Sequence, residues 1–297
     1  MMTVRSLIRI WHLAEFSLLY LVSLLTVAGF VSGVFLALGG MLAIRFVVIT
    51  SVCLYVAFTQ KDYRMTLRAL VVYCWTEFYS FTLLYAWYQL KAHPGNSDRH
   101  KVAGQHVILL HGFMCNNGFW HFFEKQLAAN GISFSYVEFE HPFGSIDDYA
   151  AQIADEVARV RALNKEVELV LVSFSMGGLA ARAYLADSGE EAIRHYSVNT
   201  PYQGTQLARL YHLMTHSENA AQMSPGSQWL KDLNARDDGS KTVTFYLHST
   251  HDTIVIPPSL SLIDRPGLAI NARGHMSATL NTTAHELLCN QIKAGDL

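Results

Sequence analysis

The stretch Glu168-Leu169-Val170-Leu171-Val172-Ser173-Phe174-Ser175-Met176-Gly177-Gly178 decides how this chain is read. Glu168 to Val172 is a short, mostly apolar run of the kind buried on both faces of a parallel sheet. Small residues follow, and then an apolar helical segment over Met176 to Asp187. Strand, sharp turn and helix in that order form a nucleophile elbow, in which small neighbours let a strained serine point its hydroxyl into a cleft. Ser175 is therefore the candidate nucleophile. Ser173 stands where such turns commonly carry glycine, and the pentapeptide alone also fits an ordinary strand-to-helix turn, so the rest of the chain has to decide.

Outward from the elbow, strand and helix patterns alternate. Strands are expected at His106 to Leu110, Ile132 to Phe139, near His195 to Val198, at Val243 to His248 and at Leu268 to Asn271. Helices are expected at Phe119 to Asn130, closed by Gly131, at Ile146 to Leu163 after Ser145, and at Thr283 to Lys293. This βαβ spacing predicts an α/β fold with a mostly parallel central sheet and helices on both faces. Such sheets place their sites at the carboxyl ends of the strands.

Three groups fall at those ends. His111-Gly112-Phe113 follows the first strand; Gly112 allows close backbone approach, and the N–H groups of Phe113 and Met176 are candidates for stabilising an anionic oxygen. The strand at Val243 to His248 leads into Asp252, the candidate that orients a histidine. Asp264 lies further from a strand end, and the pair Asp237 and Asp238 sits in a polar turn before one. His275, in the loop before the final helix, is the candidate general base, with His251 and His285 as rivals. His111, Gly112, Phe174 and Tyr202 are expected along the substrate cleft. The order Ser175, Asp252, His275 is unlike those of the chymotrypsin and subtilisin types.

The first ninety residues read differently. Of 297 residues 51% are apolar and only 15% charged, against about 25% charged in an ordinary soluble domain. Phe16 to Ile44 and Phe46 to Gln60 are uncharged, separated by Arg45, and Ala69 to Leu90 is apolar except for Glu77. The lengths predict a membrane-anchoring region over residues 1–91 with two or three spans, including a helical hairpin that turns at Gly39-Gly40. Residues 92–104 read as a linker and 105–297 as a catalytic domain. Basic residues at Arg5 and Arg9, and at Lys61, Arg64 and Arg68, mark cytoplasmic ends. Three spans would then put the catalytic domain outside the cytoplasm, on the periplasmic side of a bacterial inner membrane; if the third stretch only lies in the interface, the domain faces inside. Residues 1–91 carry seven Lys/Arg and three Asp/Glu, and the remainder fifteen and twenty-one, a balance of +4 and −6 that gives no support to nucleic-acid binding. Four scattered cysteines form no disulfide framework.

Together, His111-Gly112-Phe113, the Ser175 turn, Thr200-Pro201-Tyr202-Gln203-Gly204-Thr205, His251-Asp252-Thr253-Ile254-Val255 and Gly274-His275-Met276 resemble bacterial lipases and esterases of the α/β-hydrolase superfamily, over about residues 105 to 294. The resemblance implies an α/β-hydrolase fold and hydrolysis of carboxylic esters through an acyl-enzyme, without a cofactor. The expected partners are an acyl ester or lipid substrate and the bilayer. A phospholipase or acyl thioesterase would use the same residues. A non-catalytic membrane scaffold is the reading from another class, and it is disfavoured because no member of the triad is missing. Residues 206–241 are a possible lid, in which Leu207, Leu210, Tyr211 and Met214 form either its apolar underside or a core stripe. His212 and His216 have ligand-like spacing but lack a third partner, and no metal is expected.

Overall fold

The computed structural model describes residues 3–26, 30–92, 102, 104–188, 193–236, 245–263 and 267–295. Most of the expected linker, Asp264, the Asp237–Asp238 pair and the end of the expected lid lie outside them.

Two long helices open the chain: α1 (Val4–Thr26) and α2 (Phe30–Thr59). Helix α3 (Leu67–Leu83) begins at Thr66, whose hydroxyl accepts from Ala69 N–H, and continues through a π turn (Leu84–Tyr88) into the short α4 (Gln89–Lys91). The α/β part follows as β1 (Gln105–Leu110), α5 (His121–Ala129), β2 (Ser133–Val137), α6 (Ile146–Leu163), β3 (Glu168–Phe174), α7 (Met176–Ser188) and β4 (Arg194–Val198). Three helices, α8 (Gln206–Thr215), α9 (Glu218–Gln222) and α10 (Gln228–Arg236), precede β5 (Phe245–Ser249), β6 (Gly267–Ile270) and α11 (Thr282–Ala294).

The six strands form one parallel sheet in the order β2-β1-β3-β4-β5-β6. Alternation along the strands builds two cores. Val107 and Leu109, with Val170, Val172 and Phe174, face Phe119 just before α5, Phe123 and Leu127 of α5, and Leu288 and Ile292 of α11. Ile108 and Leu110, with Leu169 and Leu171, face Ile153 and Val157 of α6, Leu179 and Ala183 of α7 and Leu230 and Leu233 of α10. The strand order reverses at β1, so the crevice beyond the carboxyl ends of β1 and β3 is the switch point where α/β sheets bind ligands.

The N-terminal helices depart from the sequence reading in two ways. Helix α2 runs unbroken through Gly39 and Gly40, so the hairpin is formed by α1 and α2 and does not turn at those glycines. Small residues here serve helix contact: Gly33, Ala37 and Met41, four apart, are buried, and a Cβ on Gly33 would lie 2.9 Å from the Tyr20 ring. Arg45 reaches Glu15 across the pair at 2.6 Å, which neutralises both charges. Helices Val4–Leu24 and Phe30–Thr59 are long and apolar enough to cross a membrane, and only 11% and 22% of their apolar windows are buried, so neither is a core helix. Leu18, Phe30 and Phe35 are 64%, 70% and 71% exposed.

The third apolar stretch is no free span. Helix α3 lies between α2, through Phe46 against Phe78 and Cys53 beside Tyr73 and Cys74, and the α/β part. Tyr73 donates to the carbonyl of His251 at 2.8 Å, and the buried Glu77 accepts from Thr253 Oγ1, Met276 N–H and Ser277 N–H at 2.6, 3.0 and 2.8 Å. Tyr73 and Glu77 are thus spent on protein, while Val71, Trp75 and Tyr79 on the same helix stay exposed.

His285 on α11 packs against Phe123, with Nε2 donating to the Thr279 carbonyl at 2.6 Å, and burial pushes its pKa down to about 4 from 6.5. The unfolded chain binds this proton more readily, so the stabilisation is complete above pH 6.5 and is lost as pH falls towards 4. Urea denaturation is expected to give a falling midpoint over that window, His285 contributing up to about 3 kcal/mol. In His285→Gln, which donates to the same carbonyl without titrating, the fall should be shallower.

Candidate active site

No residue separates β3 from α7 except Ser175, which turns the chain with φ at 54°. A left-handed backbone strains a residue with a Cβ, at a cost of order 1 kcal/mol or more. Neighbours over-determine it: Ser175 N–H donates to Val198 O at 2.9 Å and Gly178 N–H to Ser175 O at 3.0 Å. After Met176 the next two positions must be glycine, because a Cβ on Gly177 would stand 2.5 Å from Leu110 O and one on Gly178 1.9 Å from Thr200 Oγ1. Ser173, the departure from the common glycine, lies within β3, where its hydroxyl meets Nε2 of the buried His195 at 2.7 Å. It is bonded within the sheet and strains no turn.

Asp252 and His275 meet at the same rim. The Asp252 carboxylate, fully buried, accepts from Ile254 N–H at 2.8 Å, Val255 N–H at 2.7 Å and His275 Nδ1 at 2.8 Å. With an acceptor opposite, Nδ1 carries the proton, and Nε2 is left as a base. Among the described residues neither Nε2 of His275 nor the Ser175 hydroxyl has a hydrogen-bonding partner, the Ser–His contact included. Catalytic contacts of this kind often tighten only when substrate binds. The His275 ring lies tilted at 54° with its centroid 4.6 Å from that of Phe174, the residue before the serine, which brings the two loops together.

The loop after β1 lies against the elbow. A Cβ on Gly112 would be 3.1 Å from Cβ of Ser175 and 3.1 Å from the Phe174 ring. His111 is buried, with Nε2 accepting from Phe139 N–H at 3.2 Å and Nδ1 donating to Gly112 O at 3.0 Å. Burial lowers its pKa, Glu138 opposing, and a neutral ring is what this donor–acceptor pair requires. Fixing the Gly112 carbonyl fixes the plane of the trans peptide and hence the Phe113 N–H. Among the described residues no hydrogen bond engages the N–H of Phe113 or Met176, which leaves both able to receive an anionic oxygen.

Three residues expected along the cleft are buried and packed against protein. His111 positions backbone, Phe174 packs in the core against Phe119 at 4.4 Å, and Tyr202 is buried against Tyr246. Their aromatic character serves packing, a role residue type alone does not separate from substrate contact. The rival bases are also spent: His251 pairs Nδ1 with Thr250 Oγ1 and donates from Nε2 to Tyr63 O, and His285 bonds Thr279 O. His212 donates to Ser217 O, a local cap. Of the stripe on α8, Leu210 and Met214 are exposed and only Ala208 on that helix is buried, so it is no core face. Tyr211 packs 5.1 Å from Phe113, beside the site.

Residues not anticipated hold the rim together. Asn199, itself at φ 52°, receives Ser249 N–H at 2.8 Å and donates to Ser249 Oγ and His275 O, while Ser249 Oγ donates to Gly274 O. Thr253 Oγ1 accepts from His275 N–H at 3.3 Å. No local pattern announces such cross-links; only the single charge at Glu77 in an apolar stretch was a visible signal.

The alpha/beta hydrolase family profile matches residues 107–276. Comparison with curated proteins finds no match. Among solved structures, the mature lipase BlEst2 of Bacillus licheniformis is 16% identical with a TM-score of 0.56, over 68% of this chain and 98% of that one. Lipase B of Aspergillus fumigatus is 16% identical with a TM-score of 0.54, over 64% of this chain and 52%, about half, of that one. At these identities the likeness is one of fold.

Gly112→Ala inserts a methyl between Phe174 and Ser175. Loss of about tenfold to a hundredfold in kcat for ester hydrolysis is expected, with a small change in thermal midpoint, measured by esterase assay and calorimetry.

Proposed function

Because the chain belongs to the alpha/beta hydrolase family, we propose that it is a serine hydrolase that cleaves carboxylic esters of acyl lipids and is anchored to a bilayer by the α1–α2 hairpin. The observation that carries the reading is the buried Asp252–His275 pair, 2.8 Å apart, on the rim where Ser175 is held at φ 54°. Ser175 Oγ attacks the acyl carbonyl as His275 Nε2 takes its proton. The N–H groups of Phe113 and Met176 receive the developing oxyanion, each worth about 3 to 4 kcal/mol of barrier. His275 then protonates the departing alcohol, and water activated by the same imidazole releases the acid. Asp252 keeps the proton on Nδ1 and stabilises the imidazolium.

Acyl lipid as substrate is supported by surface chemistry. Leu210, Leu213 and Met214 of α8 are 54%, 68% and 75% exposed, next to the Tyr211–Phe113 contact, and offer an apolar approach for an acyl chain. The hairpin supports anchoring. A two-helix hairpin returns the chain to the side it left, and basic residues flank both ends: Arg5 and Arg9 before it, Lys61, Arg64 and Arg68 after it. This favours a catalytic domain on the cytoplasmic side. The periplasmic expectation rested on a third span, and α3 is docked on protein.

Fluorophosphonate labelling is expected at Ser175 and absent in Ser175→Ala, whose kcat on acyl esters should fall by about 10⁴ or more. Labelling that persists in that variant would exclude Ser175 as nucleophile. In sealed right-side-out vesicles, added protease should leave the hydrolase domain intact; cleavage there would place it on the outer side.

A further inference from the structure

Glu77 belongs to the N-terminal segment, thirty residues before the family match begins at 107, yet its carboxylate ends inside the loops that carry Asp252 and His275. Three donors converge on it. Oε1 accepts from Thr253 Oγ1 at 2.6 Å and Met276 N–H at 3.0 Å, and Oε2 from Ser277 N–H at 2.8 Å. All three partners give protons, which only a group accepting at both oxygens satisfies. The contacts bracket His275. Two are the N–H groups that directly follow it, and the third, Thr253, also accepts from His275 N–H and adjoins Asp252. On the other side, a Cβ on Gly274 would lie 2.4 Å from Cδ of Glu77, so only glycine admits the carboxylate there.

We propose that Glu77 is a positioning residue for the reaction: a carboxylate from the anchor segment that holds the backbone directly after His275, and the Thr253 hydroxyl beside Asp252, in the register in which Nδ1 faces Asp252. The inference rests on the serine-hydrolase reading of that site. It means that the active site is completed by an element outside the residues that match the family profile, and that the helix supplying it is the one packed on α2 through the Phe46–Phe78 contact. Anchor and chemistry are thereby joined by one continuous set of contacts.

The test compares full-length wild type, Glu77→Gln, Glu77→Asp and Tyr73→Phe in detergent micelles on p-nitrophenyl butyrate, reading kcat, KM and the thermal midpoint. Glu77→Gln places an NH₂ against a donor and is expected to lower kcat by about tenfold to a hundredfold with KM within about twofold, and Glu77→Asp, which keeps the charge, to recover part of the loss. Tyr73→Phe removes another buried bond of the same helix and should retain kcat within about twofold. Wild-type kcat in Glu77→Gln overturns the proposal. Equal losses in Glu77→Gln and Tyr73→Phe also overturn it, since docking of the helix would then account for both. If Glu77→Gln does not fold, Thr253→Val carries the same test: a lower kcat at unchanged KM supports positioning, and wild-type kcat refutes it. A wild type that neither turns over the ester nor labels at Ser175 sinks the hydrolase reading itself, a result distinct from all of these.

Discussion

A carboxylate is costly to bury unless donors meet its oxygens, and at the rim of this sheet that requirement is met by folding the chain around Asp252. Two backbone N–H groups, of Ile254 and Val255, and the imidazole of His275 supply the donors. The loop after β5 must curl to bring the first two, and the loop after β6 must cross to bring the third. The same interaction fixes the proton on Nδ1 and so leaves Nε2 basic. Structure and chemistry are thus served by one set of bonds.

Other parts of the rim follow from close approach. Gly112, Gly177 and Gly178 each stand where a single methyl would strike backbone or a buried side chain. They let the loop after β1 and the first turn of α7 press against each other, and the strained Ser175 is held between them by the carbonyl of Val198 and the amide of Gly178. Asn199 and Ser249 then tie the ends of β4 and β5 to the loop bearing His275. Strain at one residue is offset by hydrogen bonds spread over several strands.

The N-terminal segment extends this logic beyond the sheet. Helices α1 and α2 leave their large side chains uncovered, pair Arg45 with Glu15, and close on each other through small residues. Helix α3, of similar apolar composition, instead spends Tyr73 and Glu77 on the loops around Asp252 and His275. Its docked face is set by a few side chains while Val71, Trp75 and Tyr79 stay exposed, which explains why composition alone made it look like a third span.

What the sequence determined by itself was local in origin. Buried runs such as His106 to Leu110, the cap at Ser145 and the crowded turn at Ser175 announce strand, helix and elbow through periodicity and turn chemistry, and their alternation dictates a parallel sheet with functional groups at its carboxyl end. That Ser175, Asp252 and His275 follow the ends of strands was legible for the same reason. Tertiary structure alone decided that α2 runs unbroken through Gly39 and Gly40, that His111, Phe174 and Tyr202 are buried, and what Glu77 holds. Each of these depends on which distant surfaces meet: the partners of Glu77 are 176 to 200 residues away along the chain. No local pattern encodes a contact across that separation, because the free energy that selects it arises only when the folded parts are packed together.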